Sequence, residues 1–341
     1  IQGGFKIYTA YDARLQTIAD EVYADSSFFP AAASDGTPIQ SAMAVVDTNN
    51  GAVLAMIGGR DYTVRRGLNR ATQMRRQPGS ALKPLAVYGP ALELGYTTAS
   101  VLLDEKTSFG GYTPRNAGDR YYGLVTMRTA IRNSLNTTAV RLLEEIGLDA
   151  SIQYLNKMGI PTRNSDRNLS LALGSMTYGV TPVELAAAYV PYANGGIYHQ
   201  PYCVERIETV DGSNVYERKD SGKQVLSAQN AFLMTSLLQS VVSSGTGTRM
   251  LAANTPIAGK TGTVSMTGGN RDIWMTAYTP EISVAVWMGY DQTDAKHKIS
   301  NGITGGRNTA SLAAAFFKKA YADREKPDFS QPDGLVWLTL D

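Results

Sequence analysis

Strand-forming sequence sits at the two ends of this chain, and that placement limits the fold more than any other feature. Residues 42–46 and 52–57 are apolar runs on either side of Asn49-Asn50-Gly51, a hairpin signal. Residues 272–278 and 282–288 form a second pair around Pro280-Glu281, and strand character begins at Ala258. Strands at both ends, with a stretch between them that is mostly helical in pattern, suggest an antiparallel sheet. The predicted fold class is α+β: an antiparallel β-sheet flanked by helices, plus an all-helical subdomain.

Local signals fill in this frame. Residues 5–9 alternate as a strand, and Asp12 can cap a helix that carries Leu15, Ile18 and Val22 on one face. Residues 26–38 are small, polar and proline-containing, and read as a loop. A helix is expected from about Ser80, with Leu82, Leu85 and Leu92 towards the core and a kink or break at Gly89-Pro90. Residues 98–122 read as an irregular Gly- and Tyr-rich excursion. Helices are expected over 126–131, 137–146 and 149–158. Thr181-Pro182-Val183-Glu184 is a capping box with proline at the first helical position, opening a helix that ends at Asn194-Gly195-Gly196. A hairpin over 204–216 turns at Asp211-Gly212. Ser227 caps a helix with Ala231, Met234, Leu238 and Val241 on one stripe, and 309–322 is a closing helix. The expected division is a linker strand and helix (1–40), a main domain (41–325) and a tail (326–341). Within the main domain a helical part, about 85–245, is inserted between sheet-forming segments 41–60 and 256–325.

Composition excludes several functions. A net charge of +2 gives no case for nucleic-acid binding. The single cysteine, Cys203, excludes an internal disulfide and reads as a small buried apolar residue. The two histidines, His199 and His297, read as surface or hairpin residues away from any carboxylate motif. Neither makes an H-E-x-x-H site, so a zinc centre and a histidine-based triad are not expected. Arg60, Arg65, Arg66, Arg70, Arg75 and Arg76 read as surface arginines satisfied by nearby carboxylates and carbonyls. Contact with an anionic polymer or membrane surface is the alternative. No apolar run reaches the ~18 residues of a membrane helix. The chain opens at Ile1 in mid-pattern, without a signal peptide, and reads as a piece of something longer.

Residues 76–84 read RQPGSALKP. Ser80 and Lys83 are three apart, so on an α or 3₁₀ turn they share a face and the lysine can reach the serine hydroxyl. A serine hydroxyl needs an adjacent base to act as a nucleophile. Lysine serves only if burial or a second cation depresses its pKa from ~10.4. Ser-x-x-Lys alone is weak, and an ordinary surface helix would also carry it. Ser134-Leu135-Asn136 adds a hydroxyl and an amide, and Lys260-Thr261-Gly262-Thr263 adds a cation, two hydroxyls and a glycine.

The order SxxK, SxN, KTG is the signature of serine β-lactamases and penicillin-binding proteins. The chain resembles the transpeptidase domain of class A high-molecular-weight penicillin-binding proteins over about residues 3–310. GGRDY at 58–62, NRATQ at 69–73, Tyr112-x-Pro114-x-Asn116, YGLVTMR at 122–128 and GVTPVELAAAYVPYANGG at 179–196 carry it further. So do Trp274 and Tyr278-Thr279-Pro280. The resemblance implies the penicilloyl-serine transferase fold, with the site between its two parts. It implies that Ser80 is the acylated nucleophile and Lys83 its base. Lys260 would be the cation that keeps Lys83 partly neutral and draws in a substrate carboxylate, and Ser134 a proton relay to the leaving amine. Asn136 would bind the substrate amide, and Thr261 and Thr263 its terminal carboxylate. The N–H groups of Ser80 and Thr263 would form the oxyanion hole, and Gly262 would let the strand approach the substrate. The implied donor is the D-alanyl-D-alanine end of a peptidoglycan stem peptide, the acceptor an amine on a neighbouring stem, and β-lactams would trap Ser80. No metal or organic cofactor is implied. The implied location is the extracytoplasmic face of the bacterial membrane, held there by a segment absent from this chain. The family's glycosyltransferase domain also has no counterpart in this sequence.

The chain departs from the family pattern at Leu135 (usually Asp), Val264 (commonly Thr) and Ala277 (usually Gly). These are expected to tune acylation and antibiotic affinity without abolishing chemistry. A class A β-lactamase would add an ExxLN motif whose Glu activates water, and none lies between Asn136 and Lys260. Slow deacylation is therefore expected. A D,D-carboxypeptidase and a β-lactam sensor stay open. Gly259-Lys260-Thr261 mimics the end of a P-loop, but the first glycine of that motif would fall at Asn254.

Overall fold

The structure, a computed structural model, describes residues 4–62 and 64–338. β1 (Phe5–Thr9) leads into α1 (Ala13–Ala24), where the Asp12 carboxylate accepts the Leu15 N–H at 2.9 Å as a cap. β2 (Gln40–Asp47) and β3 (Val53–Ile57) form the expected hairpin. Then come α2 (Gly89–Glu93), β4 (Val101–Asp104), β5 (Gly123–Thr126), α3 (Met127–Arg132), α4 (Asn136–Ile146) and α5 (Leu148–Lys157). α6 (Pro182–Ala193), with the Thr181–Glu184 capping box in place, is followed by β6 (Ile197–Tyr198), β7 (Val204–Thr209), β8 (Asn214–Glu217), β9 (Lys223–Gln224) and α7 (Ala228–Ser244). β10 (Ala258–Met266), β11 (Gly269–Tyr278), β12 (Ile282–Gly289) and α8 (Ala310–Ala320) close the series.

The two strand blocks meet. They form one five-stranded antiparallel sheet in the order β10-β11-β12-β2-β3, joined where β12 pairs with β2 and Ala285 faces Ala44. Side chains alternate across it. Ala42, Ala44, Val46, Trp274, Tyr278, Ala285 and Trp287 face a core shared with α2 to α7. Met43, Val45, Ile273, Met275, Val284, Val286 and Met288 pack beneath α1 and α8. A sheet covered on both faces needs continuous apolar strands, which is why these segments show runs instead of alternation. Each large side chain buried this way contributes about 1.5–3 kcal/mol.

Three expectations change. α1 is no linker: its stripe of Leu15, Ala19 and Val22 is buried in the back-face core. The inserted part is helix-dominated but not all-helical. It carries the ribbons β4–β5 and β6–β9 and the hairpin β7–β8, to which β1 adds as a third strand. The excursion at 98–122 thus contains a strand, β4, whose partner β5 lies beyond it.

The isolated polar residues also find partners. Arg70 grips Asp291 with two bonds of 2.6 and 2.5 Å, Arg75 pairs with Glu184, Arg60 donates to Ile39 O at 3.0 Å, and Arg76 donates to Tyr290 O at 2.9 Å. Arg60, Arg70 and Arg75 thus find carboxylate or carbonyl partners, as expected, whereas Arg76 keeps its buried Nε without a hydrogen bond, 3.8 Å from Asp272 Oδ1. Cys203 is exposed, not buried, because it lies in the short link into β7 on the rim of the small sheet. His199 is buried against Asp220, with Nδ1 3.3 Å from Oδ2. His297 sits between Asp294 (2.9 Å) and Asp35 (2.8 Å). Both histidines therefore face carboxylates, contrary to expectation. Among the described residues no helix is long and apolar enough to cross a membrane.

Candidate active site

Proline shapes the turn that carries Ser80. Pro84 has no N–H to offer the Ser80 carbonyl, which instead accepts the Lys83 N–H. Gly79–Leu82 therefore forms a 3₁₀ turn, in which residues i and i+3 eclipse, bringing Ser80 and Lys83 to one side. A π turn over Pro84–Tyr88 follows, and regular helix begins only at Gly89. The irregularity expected at Gly89-Pro90 thus lies one turn earlier. Side chains satisfy the displaced carbonyls: Tyr189 donates to Ala81 O (2.6 Å), Tyr192 to Pro84 O (3.0 Å) and Ser151 to Ala86 O (2.6 Å).

Two glycines let this turn touch β10 backbone to backbone. Gly79 has φ 56°, and a β-carbon on it would lie 2.7 Å from Thr263 O. One on Gly262 would lie 2.3 Å from Pro78 O. The atoms that Gly262 admits are thus those of the serine-bearing turn, where the sequence suggested the substrate. Trp274 Nε1, donating to Gln77 O at 2.9 Å, pins the same turn from β11.

Ser134 ends α3 in the left-handed region, at φ 55°. Leu135 N–H bonds Ala130 O (2.9 Å) and Ser134 N–H bonds Ile131 O (3.1 Å), a Schellman cap whose special position normally belongs to glycine. Serine there costs roughly 1 kcal/mol. The strain holds the Ser134 carbonyl and hydroxyl towards Lys83 and Lys260.

The two lysines are fully buried. Lys83 Nζ donates to Ser134 O (2.8 Å), Leu135 O (3.0 Å) and Asn136 Oδ1 (2.7 Å), with Ser134 Oγ at 3.4 Å. Among the described residues the Ser80 hydroxyl is not one of its partners, although the spacing had suggested it. Three carbonyl oxygens hold an ammonium well, so the lysine rests on the Ser134–Asn136 loop. Burial, then the neighbouring Lys260 charge, pushes the Lys83 pKa well below its ordinary value. Lys260 Nζ donates to Ser134 Oγ (2.9 Å) and Thr261 O (3.2 Å), and burial lowers its pKa to about 7.

The depressed pKa values have a consequence for stability. Between pH 7 and 9 the unfolded chain binds more protons at these lysines than the folded chain does, so stability rises with pH in that window. Each such proton is worth about 1.4 kcal/mol per pH unit. Unfolding followed at several pH values should show this rise, and Lys260→Met should flatten it by up to one proton. A wild-type stability that falls from pH 7 to 9 would contradict the depressed pKa values.

A cavity of about 500 Å³ opens over these groups. Ser80, Ser134, Asn136, Thr261 and Thr263 line it, so five of the eight residues singled out from sequence meet at one opening, with Lys83 and Lys260 buried beneath and Gly262 in the strand behind. Sequence reasoning missed Thr246, whose hydroxyl lies 2.7 Å from Thr261 Oγ1, and Arg115, Asn133, Asn301 and Thr304, which also line the cavity. The one available sign was the Ser/Gly/Thr-rich run at 243–248, which reads as a turn. Among the described residues the lining holds no acidic side chain. β10 is an edge strand, so its outer hydrogen-bonding groups face this opening.

The departures are absorbed differently. Leu135 buries its side chain in the core while its carbonyl serves Lys83. Ala277 is buried opposite Gly259, where its methyl takes space that Gly259 leaves. Val264 is half-buried beside a bulge that ends the regular pairing of β10.

A family model, the penicillin binding protein transpeptidase domain, matches residues 41–322. The chain belongs to this family. The transpeptidase domain is 44% identical over 308 residues to penicillin-binding protein 1F of Bacillus subtilis, covering 89% of this chain and 42% of that protein. It is 37% identical over 357 residues to a penicillin-binding protein 1A of Clostridium botulinum, covering 100% of this chain and again 42% of that one. The chain thus spans well under half the length of these curated relatives. Among solved structures, PonA1 of Mycobacterium tuberculosis superposes with a TM-score of 0.83 at 25% identity, covering 98% of this chain and 88% of that one. PonA1 has also been solved in complex with penicillin V. The α+β penicilloyl-serine transferase fold is therefore the fold of this transpeptidase domain.

Proposed function

We propose that this domain is a peptidoglycan D,D-transpeptidase working through a Ser80 acyl-enzyme, and that β-lactams acylate the same serine. The observation that carries the reading is the convergence of Ser80, Ser134 and Asn136 over two buried lysines of depressed pKa. Neutral Lys83 accepts the Ser80 proton as Oγ bonds to the carbonyl carbon of the penultimate D-alanine. The oxyanion is held by the N–H groups of Ser80 and Thr263. The C–N bond then breaks, and the departing D-alanine amine receives a proton relayed through Ser134 from the lysines. An acceptor amine, losing a proton by the reverse route, attacks the ester carbonyl, forms the cross-link and frees Ser80.

Binding follows the lining. Thr261, Thr263 and the Lys260 charge suit a terminal carboxylate, and Asn136 suits the backbone amide next to it. Among the described residues the lining carries Arg115 and no acidic group, which favours an anionic peptide. The substrate would lie along the open edge of β10 as an added strand. The same reading keeps residues 41–325 as the working unit, on the extracytoplasmic face of the membrane in the intact protein. Transfer to water would make the domain a carboxypeptidase, and turnover of a D-Ala-D-Ala peptide with and without an acceptor amine separates the two.

The decisive test is intact mass after incubation with benzylpenicillin. A single stable adduct is expected on the wild type and none on Ser80→Ala. Consumption of penicillin without an adduct would point to a β-lactamase, and an adduct surviving in Ser80→Ala would remove Ser80 from its role.

A further inference from the structure

Asp104 is a buried carboxylate that the chemistry above does not use. It is the last residue of β4, fully buried, and forms no ion pair among the described residues. Neutral donors surround it: Asn116 Nδ2 at 2.7 Å, the Tyr122 N–H at 3.0 Å and the Thr137 hydroxyl. An ionised carboxylate without a cation is costly to bury and is kept only where its hydrogen bonds are complete.

The network ends at the lysine. Asn116 Nδ2 faces both Asp104 Oδ1 and the Arg120 carbonyl, the latter at 2.9 Å, and a carbonyl oxygen only accepts, so that side of the carboxamide has to be Nδ2. The Asn116 oxygen must then face the other way, where it accepts the N–H groups of Asn136 (2.7 Å) and Thr137 (3.3 Å) at the start of α4. That fixes the first turn of α4 against the loop. The same logic repeats one residue on. Arg115 O accepts Asn136 Nδ2 at 2.6 Å, so the Asn136 oxygen has to point at Lys83, 2.7 Å away.

We propose that Asp104 and Asn116 are positioning residues, which fix the Asn136 carboxamide with its oxygen on Lys83 and so hold the base in its resting place. The inference rests on the acyl-enzyme reading above. The chain of contacts also gives Tyr112-x-Pro114-x-Asn116 a physical role. Its asparagine is a two-sided clamp between a buried anion and the SxN loop, and the backbone just before it orients Asn136.

Removing the clamp has a readout that simple destabilisation lacks. If the Asn136 oxygen is no longer held on Lys83, the ammonium loses one of its three carbonyl acceptors and releases its proton more readily. The acid limb of the acylation profile then moves to lower pH, while the plateau falls because Asn136 and the loop are misplaced. A misplacement of about 1 Å costs about 100-fold in rate.

The experiment measures benzylpenicillin acylation from pH 5 to 9, per site titrated with the same antibiotic, for wild type, Asp104→Asn and Asn116→Ser. Asp104→Asn is isosteric, so it tests the anion with little change of packing. Counting titrated sites keeps a partly folded variant informative. A plateau 10- to 100-fold lower with the acid limb moved down in pH supports the proposal. A wild-type limb with only fewer titratable sites, or wild-type rates throughout, overturns it. Failure of the wild type to acylate would instead sink the acyl-enzyme reading itself.

Discussion

Replacing Lys83 with methionine is expected to slow acylation of Ser80 by benzylpenicillin about 10⁴-fold, the upper range for losing a positioned general base. Methionine has nearly the same length and no lone pair able to take the serine proton. The fold should survive. Desolvating the ammonium costs several kcal/mol. The three carbonyls it satisfies contribute about 1.5–3 kcal/mol each. These terms oppose each other, so a melting shift of a few degrees is expected beside a near-complete loss of rate. Rapid-mixing acylation kinetics with a thermal melt would measure both. An acylation rate within tenfold of wild type would show that another group takes the proton.

The pH profile belongs to the same prediction. Only neutral Lys83 can accept the proton, so acylation rises with pH through the Lys83 pKa. That limb lies well below the ordinary lysine value because burial and the Lys260 charge both depress it. Lys260→Met removes the second cause, so the Lys83 pKa rises and the limb moves to higher pH. A limb that stays in place would mean that Lys260 acts only on the substrate.

Gly262→Ala carries the second large effect. Its new methyl would lie 2.3 Å from the Pro78 carbonyl, 3.0 Å from the Trp274 β-carbon and 3.2 Å from that of Ala81. The first contact is backbone and cannot swing aside. Either β10 leaves β11 or the serine turn lifts off β10. We expect about 3 kcal/mol of destabilisation, the range for overpacking a tight interior site. Acylation should fall about 100-fold, because the proposed oxyanion hole needs the Ser80 and Thr263 N–H groups to converge and that convergence depends on this close approach. Denaturant unfolding and acylation kinetics on one preparation would measure both. A variant as stable and as fast as wild type would mean that the close approach is not needed.

Much of this site was legible in the chain because its parts are local. The Ser80–Lys83 relation needs only three residues and a proline, and Pro84 makes the turn tighter than an α-helix. The caps at Asp12, Thr181 and Ser227 were readable for the same reason, since each bonds within three residues. Glycines announced backbone crowding, but not which backbone: Gly262 faces Pro78, 184 positions away by number only. His199 and His297 were judged by residue type, while Asp220 and Asp35 reach them from 21 and 262 positions away; Asp294, three residues before His297, was within reach of the sequence and was overlooked.

The sequence by itself determined the order of the motifs, the two strand blocks, the caps and the chemical groups available to a nucleophile. Those properties depend on spacing along the chain and on what each side chain can donate or accept. Only the tertiary structure decided where Lys83 rests, which oxygens it touches and that Thr246 stands beside Thr261. It also decided that Asp104, without an ionic partner among the described residues, is joined through Asn116 to the Asn136 N–H. Such contacts join residues brought together when β12 pairs with β2 and the inserted helices close over the sheet, and no local propensity encodes them.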